Sequence, residues 1–186
     1  MEKPDNQNSR EHDFTLVLNG ISELNSEIES ALYEAGCDDA TLSVRFGVAF
    51  LTFSRCATSL KDAILSAIRD IRRARIGADV VRVDICDLVT QSDIARRVGR
   101  SRQLIHQYLT GQRGPKGFPA PACHITDGAP LWMWCEVARW LCANDMLKVQ
   151  DLRDAEHVAM INSVLDMEHK RQSHPGLAEQ ILAAIS

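Results

Sequence analysis

The stretch of sequence that decides the fold runs from residue 88 to residue 109 and reads LVTQSDIARRVGRSRQLIHQYL. Thr90 lies three positions before Asp93, the spacing of a capping box at a helix start, with Asp in place of the usual Glu or Gln. Gly99 favours the end of this helix, because the chain must turn there through a left-handed conformation that a β-carbon disfavours. Ser101 suits the cap of a second helix. Two short helices joined by a tight turn are therefore predicted.

The apolar residues of the two predicted helices are spaced so that each helix can bury one side. They are Ile94, Ala95 and Val98 in the first helix and Leu104, Ile105 and Leu109 in the second. A small residue such as Ala95 suits a point where two helices cross closely. This is the helix-turn-helix arrangement, whose second helix enters the major groove of DNA. Plain α-helical cores also contain such helix pairs, and the pattern alone leaves that alternative open.

The outward residues of the second helix have side chains that suit contact with DNA. Arginine can make a bidentate pair with guanine, and glutamine can do so with adenine. Basic residues in the loop that follows would attract phosphates. The candidate DNA-binding residues are Thr90, Gln91, Arg100, Ser101, Arg102, Gln103, His106, Gln107, Arg113 and Lys116.

The residues after the second helix predict a wing. Residues 111–121 are rich in glycine and proline and cannot form a helix. Residues 122–126 and 131–134, joined by the turn Asp127-Gly128, predict a hairpin, and residues 135–141 predict a helix that closes the domain. Large aromatic side chains commonly anchor small domains. The tryptophans expected in this core are Trp132, Trp134 and Trp140.

Residues 87–144 resemble the winged helix-turn-helix domains of the excisionase, AlpA-type and MerR-like DNA-binding families. The matching residues are Ile94-Ala95, Val98-Gly99, Ser101-Arg102, Tyr108-Leu109, the turn Phe118-Pro119-Ala120-Pro121, and Trp134 followed by Glu136-Val137-Ala138-Arg139-Trp140-Leu141. The resemblance implies recognition of double-stranded DNA by the second helix, with Arg113, Lys116 and His124 as wing contacts to the backbone or the minor groove. The chain departs from these families upstream, since excisionases and AlpA-type proteins generally lack an N-terminal domain and MerR proteins begin with the helix-turn-helix.

The charge of the chain is distributed unevenly. The formal net charge is −4, but residues 87–124 hold six cations and two anions, a net +4, which leaves −8 for the remainder. The cations are Arg96, Arg97, Arg100, Arg102, Arg113 and Lys116. Such an asymmetry indicates a local electropositive patch on an acidic protein.

Residues 13–85 predict a separate α+β domain. Strand patterns occur at 14–18, 41–45, 48–53 and 79–83, and amphipathic helix patterns at 22–35 and 59–75. The order βαββαβ is that of the ferredoxin-like fold, a four-stranded antiparallel sheet with both helices on one face. Some such domains bind RNA through exposed rings, but two of the positions concerned are Val17 and Val48, and only Phe50 offers a ring. We therefore expect these three residues to form an apolar sheet face that packs on a partner copy or on the neighbouring domain.

The two ends of the chain complete the predicted organisation. Residues 1–12 lack apolar periodicity and predict a disordered tail. Residues 145–186 predict a long helix over 145–171 and a short one over 177–185. We expect these helices or the N-terminal sheet to form a homodimer, because specific DNA sites are commonly read by two copies; completion of a monomeric core is the alternative.

Several classes of protein are not favoured by the sequence. No run of about 18 apolar residues suggests a membrane span and no secretory signal is visible, so the six cysteines are expected to be reduced in a cytoplasmic protein. No phosphate loop, G-x-S-x-G or H-E-x-x-H motif occurs. The spacing of Cys123-His124, Cys135 and Cys142 matches no common zinc site. We expect neither an enzyme nor a metal or other cofactor.

The sequence thus predicts an α+β protein with a ferredoxin-like domain over 13–85, a winged helix-turn-helix over 86–144 and C-terminal helices over 145–186. The favoured function is that of a transcriptional regulator that binds specific sequences of double-stranded DNA. Such a regulator would control its own expression, as antitoxins do. The alternatives are an excisionase-like architectural factor and an adaptor that binds a toxin-like partner protein, with DNA contact secondary.

Overall fold

A computed structural model describes residues 9–21 and 23–185 of the chain. The described residues form two compact units. Unit 1 contains the residues up to Asp84 and those from Met160 onward, and unit 2 is Ile85–Ala159. The predicted α+β class is confirmed, since an antiparallel sheet and seven helices are present in the described ranges.

Unit 1 contains a four-stranded antiparallel sheet in the order β2-β3-β1-β4. Its elements occur in the order predicted from the sequence. They are β1 (Arg10–Asn19), α1 (Ser26–Glu34), β2 (Ala40–Arg45), β3 (Val48–Ala57), α2 (Leu60–Ala74) and β4 (Asp79–Val83).

Side chains alternate across the sheet of unit 1, so that one face is buried and the other is more open. Leu16, Leu51 and Phe53 on the buried face are almost inaccessible. They share this core with the apolar stripe of α2, which includes Ile64 and Ile71. The stripe exists because isoleucine and alanine recur at three- and four-residue spacing along α2.

The open face carries the patch that we expected to pack on a partner. Val17 lies opposite Phe50 in the register of β1 and β3. Both side chains are half-buried, whereas Val48 is exposed. The packing of this patch on another surface stays a prediction.

The N-terminal tail prediction is wrong for residues 10–12. Arg10 lies opposite Ala57 in β3, and the pairing continues without interruption towards Leu18. His12 occupies an inward position and is buried. Because this inward position holds a polar residue, the apolar alternation of the strand becomes visible in the sequence only from Phe14. Residues 1–8, which belong to the same predicted tail, lie outside the described residues.

Unit 2 is a small helical domain with a two-stranded sheet. Its elements are β5 (Leu88–Val89), α3 (Gln91–Arg97), α4 (Arg102–Leu109), β6 (Trp132–Met133), α5 (Trp134–Ala143) and the first part of α6 (Val149–Ser173). The core of the unit is formed by Val89, Ile94, Ala95, Ile105, Trp132, Val137, Trp140 and Leu141. Two of the three tryptophans are therefore core residues as predicted, and Trp134 is partly buried against this core.

The predicted wing hairpin is reduced to a single antiparallel bridge between Cys123 and Leu131. β6 pairs instead with β5, with Val89 opposite Trp132. Trp134 begins α5 rather than ending a strand. Its backbone N–H, which has no acceptor within the first turn of the helix, donates to the carbonyl oxygen of Asp87 at 2.6 Å. The first strand of the predicted hairpin, residues 122–126, is interrupted at His124, whose φ of 56° does not fit an extended strand.

The C-terminal helices predicted over 145–186 are divided between the two units. Residues up to Ala159 belong to unit 2 and residues from Met160 belong to unit 1. α6 begins at Val149 rather than at residue 145, since Asp145 has a φ of 57° that ends α5 with a left-handed turn. In unit 1, the side-chain amide of Asn162 accepts from the backbone N–H of Val83 at 2.7 Å and donates to its carbonyl at 3.2 Å. The last helix, α7 (Leu177–Ile185), has the predicted bounds.

Candidate DNA-binding surface

The capping box predicted at the start of α3 is present. Thr90 Oγ1 accepts a hydrogen bond from the backbone N–H of Asp93 at 3.1 Å, and Asp93 Oδ2 accepts from the backbone N–H of Thr90 at 3.0 Å. The Thr90 hydroxyl also donates to the same carboxylate. These hydrogen bonds hold the pKa of Asp93 below its ordinary value, because they favour the charged form.

The turn between α3 and α4 has the geometry of a Schellman motif. Gly99 has a φ of 62°. The backbone N–H of Arg100 donates to the carbonyl of Ala95 at 2.9 Å, and that of Gly99 donates to the carbonyl of Arg96 at 3.3 Å. Ser101 Oγ then accepts from the backbone N–H of Leu104 and caps α4. This local sequence therefore fixes the point at which α4 begins.

α4 is held against the rest of unit 2 on one side only. Ile105 is buried in the core, and Leu104, Tyr108 and Leu109 are half-buried beside it. The side-chain amide of Gln91 donates to the carbonyl of Arg102 at 2.9 Å, which ties the first turn of α4 to α3. α4 is thus positioned by its packing and by its N-terminus.

The opposite side of α4 faces solvent. Arg102, Gln103 and His106 are exposed, and Gln107 is partly exposed. His106 lies four residues after Arg102 and three after Gln103, the two spacings at which side chains adjoin on a helix surface. Three hydrogen-bonding side chains of different chemistry therefore share one accessible helix surface.

The residues after α4 form a basic loop, which we define as residues 110–121. The backbone N–H groups of Gln112 and Arg113 donate to the carbonyl of Gln107 at 2.9 and 3.2 Å. The indole N–H of Trp140 donates to the carbonyl of Lys116 at 3.2 Å. That of Trp132 donates to the carbonyl of Pro119 at 3.2 Å. The basic loop is therefore anchored to the core at several points, although it has no regular secondary structure.

Two of the six cations in residues 87–124 make contacts within the protein. Arg96 pairs with Asp93 at 2.6 Å. Arg97 donates to the carbonyl of Cys86 at 2.7 Å and lies over the ring of Trp134. Burial lowers the pKa of Arg97, the effect expected when a cation leaves water.

The other four cations are exposed. They are Arg100, Arg102, Arg113 and Lys116. Across residues 9–21 and 23–185, none of the four forms an ion pair with a described carboxylate. The sequence contains no Asp or Glu between Asp93 and Asp127. The α4 surface and the basic loop therefore carry positive charge that is not neutralised locally.

The predicted site residues fall into two groups. Thr90, Gln91 and Ser101 make the structural hydrogen bonds described above, and their contact with DNA stays a prediction. The remaining candidates lie on α4, on the turn before it or on the basic loop. His124, which the family resemblance suggested, instead pairs with Asp127, and this hydrogen bond lowers the pKa of that carboxyl.

Two positioning features escaped the sequence analysis. One is the hydrogen bond from Gln91 to α4, and the other is the anchoring of the basic loop by Trp132 and Trp140. The second had a sequence signal, because a buried indole N–H needs an acceptor and polar loop backbone supplies one. The first had none, since an amide side chain has many possible partners.

In the described part of the chain, no three His, Cys, Asp or Glu side chains come together at metal-binding distances. No helix among these same residues combines the length and apolar character that crossing a bilayer requires.

Comparison of the chain with protein-family models, curated proteins and solved structures found no match.

Proposed function

We propose that unit 2 is a winged helix-turn-helix domain that binds double-stranded DNA, and that the protein is a sequence-specific transcriptional regulator. One observation carries the proposal: α4 packs through Ile105 and presents Arg102, Gln103 and His106 to solvent. Arg102 is one of four exposed cations in this region that form no ion pair with a described carboxylate; the others are Arg100, Arg113 and Lys116. A helix in a plain helical core would bury more of its surface and would not need this excess of charge.

The dimensions and chemistry of α4 support insertion into the major groove. An α-helix with its side chains is about 10–12 Å wide, and the major groove of B-DNA is about 12 Å wide. In this arrangement, Arg102 reads guanine through its guanidinium, and Gln103 reads adenine through its amide. Arg100 on the preceding turn contacts phosphate, which adds affinity without sequence information.

The basic loop and the small sheet of unit 2 act as the wing in this proposal. Arg113 and Lys116 follow α4 directly, and the loop that carries them is anchored at Lys116 and Pro119 by indole hydrogen bonds. Because its backbone is fixed, the loop can hold both cations near the DNA backbone at a low entropic cost.

We further propose that the sheet of unit 1 is ferredoxin-like. The order β2-β3-β1-β4 and the βαββαβ sequence of elements support this assignment. A domain of this kind beside a DNA-binding unit would sense a signal or mediate assembly, the role expected from the sequence.

Selection of sequences from a random duplex pool tests the proposed function. We expect enrichment of a defined site that the protein binds at least about 10³-fold more tightly than random duplex at physiological salt. The double variant Arg102→Ala, Gln103→Ala should lose this preference and keep its tryptophan fluorescence spectrum. Equal affinity of the wild-type protein for the enriched and random duplexes would contradict the proposal.

A further inference from the structure

The part of α6 that belongs to unit 1 carries apolar side chains on two of its sides. One side holds Leu165, which is buried, and Asn162, which bonds the backbone of Val83. The other side carries Met160, Val164 and Met167, which are all exposed. These three residues follow the i, i+4, i+7 spacing of a single helix stripe. A helix with two apolar sides can bury both only if a second partner covers the outer one.

An open groove lies beside this stripe, between α2 and α6. Its volume is about 720 Å³, and its lining includes Leu65 and Ile68 of α2 and Ile161 of α6. Arg72 and Glu168, which form an ion pair at 2.6 Å, also line the groove. The lining of the groove is therefore mainly apolar and includes this ion pair.

α7 is the third part of this surface. Its apolar residues follow helical spacing, and they are exposed by 46–75%: Leu177, Ile181, Leu182 and Ile185. No described residue of α7 is buried. The only charged side chain between residues 177 and 185 is Glu179, which lies 3.9 Å from Arg171 of α6. α7 is therefore an amphipathic helix whose apolar side is exposed to solvent in the described part of the chain.

We propose that a second copy of this chain covers the surface formed by the α6 stripe, the groove and α7, which we call the C-terminal apolar surface. In this twofold dimer, α7 of each copy lies in the groove between α2 and α6 of the other. The arrangement is isologous, because every copy carries both the helix and the groove that receives it.

The size of the C-terminal apolar surface fits a dimer. Eight exposed apolar side chains belong to it on each copy: Leu65, Met160, Val164, Met167, Leu177, Ile181, Leu182 and Ile185. A fully buried apolar side chain removes about 60–120 Å² from water, so these half-exposed groups on two copies bury roughly 700 Å² of apolar area. With a polar rim in the usual proportion, the total is about 1,200 Å², the lower limit for specific interfaces.

The charged groups at the groove are already paired within one chain. Arg72 pairs with Glu168 at 2.6 Å, and Arg171 lies 3.9 Å from Glu179. The contact between copies therefore rests on apolar area rather than on charge.

Sedimentation equilibrium of the full chain without DNA tests the dimer. Twice the chain mass of 20.7 kDa is expected for the wild-type protein. Ile181→Glu should give the monomer mass, or raise the dimer dissociation constant at least about tenfold, because it places a charge in the apolar contact. Gln180→Glu adds the same charge on the polar side of α7 and should remain a dimer.

Other outcomes would overturn the inference. A monomeric wild-type protein would mean that α7 folds back into the groove of its own chain or that the surface serves another partner. A dimer that survives both Ile181→Glu and Val164→Glu would place the interface elsewhere. Thermal unfolding of each variant shows whether a change from dimer to monomer mass reflects a lost interface or a lost fold. Sedimentation is measured without DNA, so a negative result for the dimer would not contradict the proposed function. A negative result for DNA binding would likewise not contradict the dimer.

Discussion

Arg102 and Lys116 are both exposed cations, but the structure supports them differently. Arg102 belongs to the first turn of α4, from which its long side chain reaches a base edge in the proposed complex. Lys116 belongs to the basic loop, where its backbone is held by Trp140. The same charge is therefore expected to contribute to specificity in the first case and to general affinity in the second.

Replacing Arg102 by alanine should relax the preference for one base position of the selected site. A bidentate contact contributes about 1–3 kcal/mol of discrimination, and the rest of the site should be read as before. Competition titrations with duplexes changed one position at a time measure this effect. Arg153→Ala removes an exposed arginine of unit 2 that lies on α6, and it serves as the control. An unchanged base preference in Arg102→Ala would exclude a reading role for this residue.

Replacing Lys116 by alanine should weaken binding to all duplexes alike. The slope of log affinity against log salt is negative, and loss of one phosphate contact reduces its magnitude by about 0.9. Dissociation constants measured at several salt concentrations give this slope directly. The matched control is Lys148→Ala, which removes an exposed lysine outside the basic loop. A slope equal to that of the wild-type protein would place Lys116 away from the DNA backbone.

Thr90→Ala should destabilise unit 2 by about 1 kcal/mol near neutral pH through loss of the helix cap. The wild-type contribution depends on pH because Thr90 lowers the pKa of Asp93 in the folded state. This contribution is present above the ordinary carboxyl pKa and is lost as the pH falls through the lowered value. The stability difference between the two proteins should therefore shrink in acid.

Tryptophan fluorescence during urea unfolding measures this difference, because all three tryptophans of the chain lie in unit 2. Thr90→Ser keeps the hydroxyl and should behave as the wild-type protein. A difference that does not change with pH would show that the coupling to Asp93 adds nothing to stability.

At the scale of single elements, the two glycines of the turns that flank α4 are required for different reasons. Gly99 and Gly114 both have positive φ, at 62° and 80°. A β-carbon on Gly99 would meet no atom within 4 Å, whereas one on Gly114 would lie 2.6 Å from Cε1 of Tyr108. The first glycine satisfies backbone conformation alone, and the second also allows the basic loop to pack against a ring.

Gly99→Ala should therefore cost about 1–2 kcal/mol, the penalty of a left-handed residue with a β-carbon. Gly114→Ala carries the same penalty plus the clash with Tyr108, and should cost more and weaken DNA binding by displacing the basic loop. Urea unfolding followed by tryptophan fluorescence compares the two variants. Equal destabilisation would contradict the close packing of the loop on Tyr108.

At the scale of the whole molecule, the proposed dimer provides two copies of α4 for one DNA site. A palindromic site with two half-sites should then bind more tightly than a single half-site. Ile181→Glu should reduce affinity for the palindrome at least about tenfold and leave affinity for an isolated half-site unchanged. Anisotropy titrations with both duplexes test this, and an equal loss on both would show that the substitution damages unit 2 itself.

The sequence by itself determined the local elements. Helix starts at Thr90 and Ser101, the turn at Gly99 and the stripe of α2 follow from capping, backbone conformation and helical periodicity, which act over a few residues. The exposed face of α4 was predictable for the same reason, since burying Ile105 directs Arg102 and Gln103 outward.

Only the tertiary structure decided how distant segments combine. The pairing of β6 with β5, the division of α6 between the two units and the anchoring of the basic loop by Trp132 and Trp140 all depend on contacts between residues far apart in the chain. A local pattern cannot fix them, because a two-residue strand or an indole N–H can be satisfied by many partners. Packing of the whole unit selects the partner that leaves the fewest buried groups without a hydrogen bond.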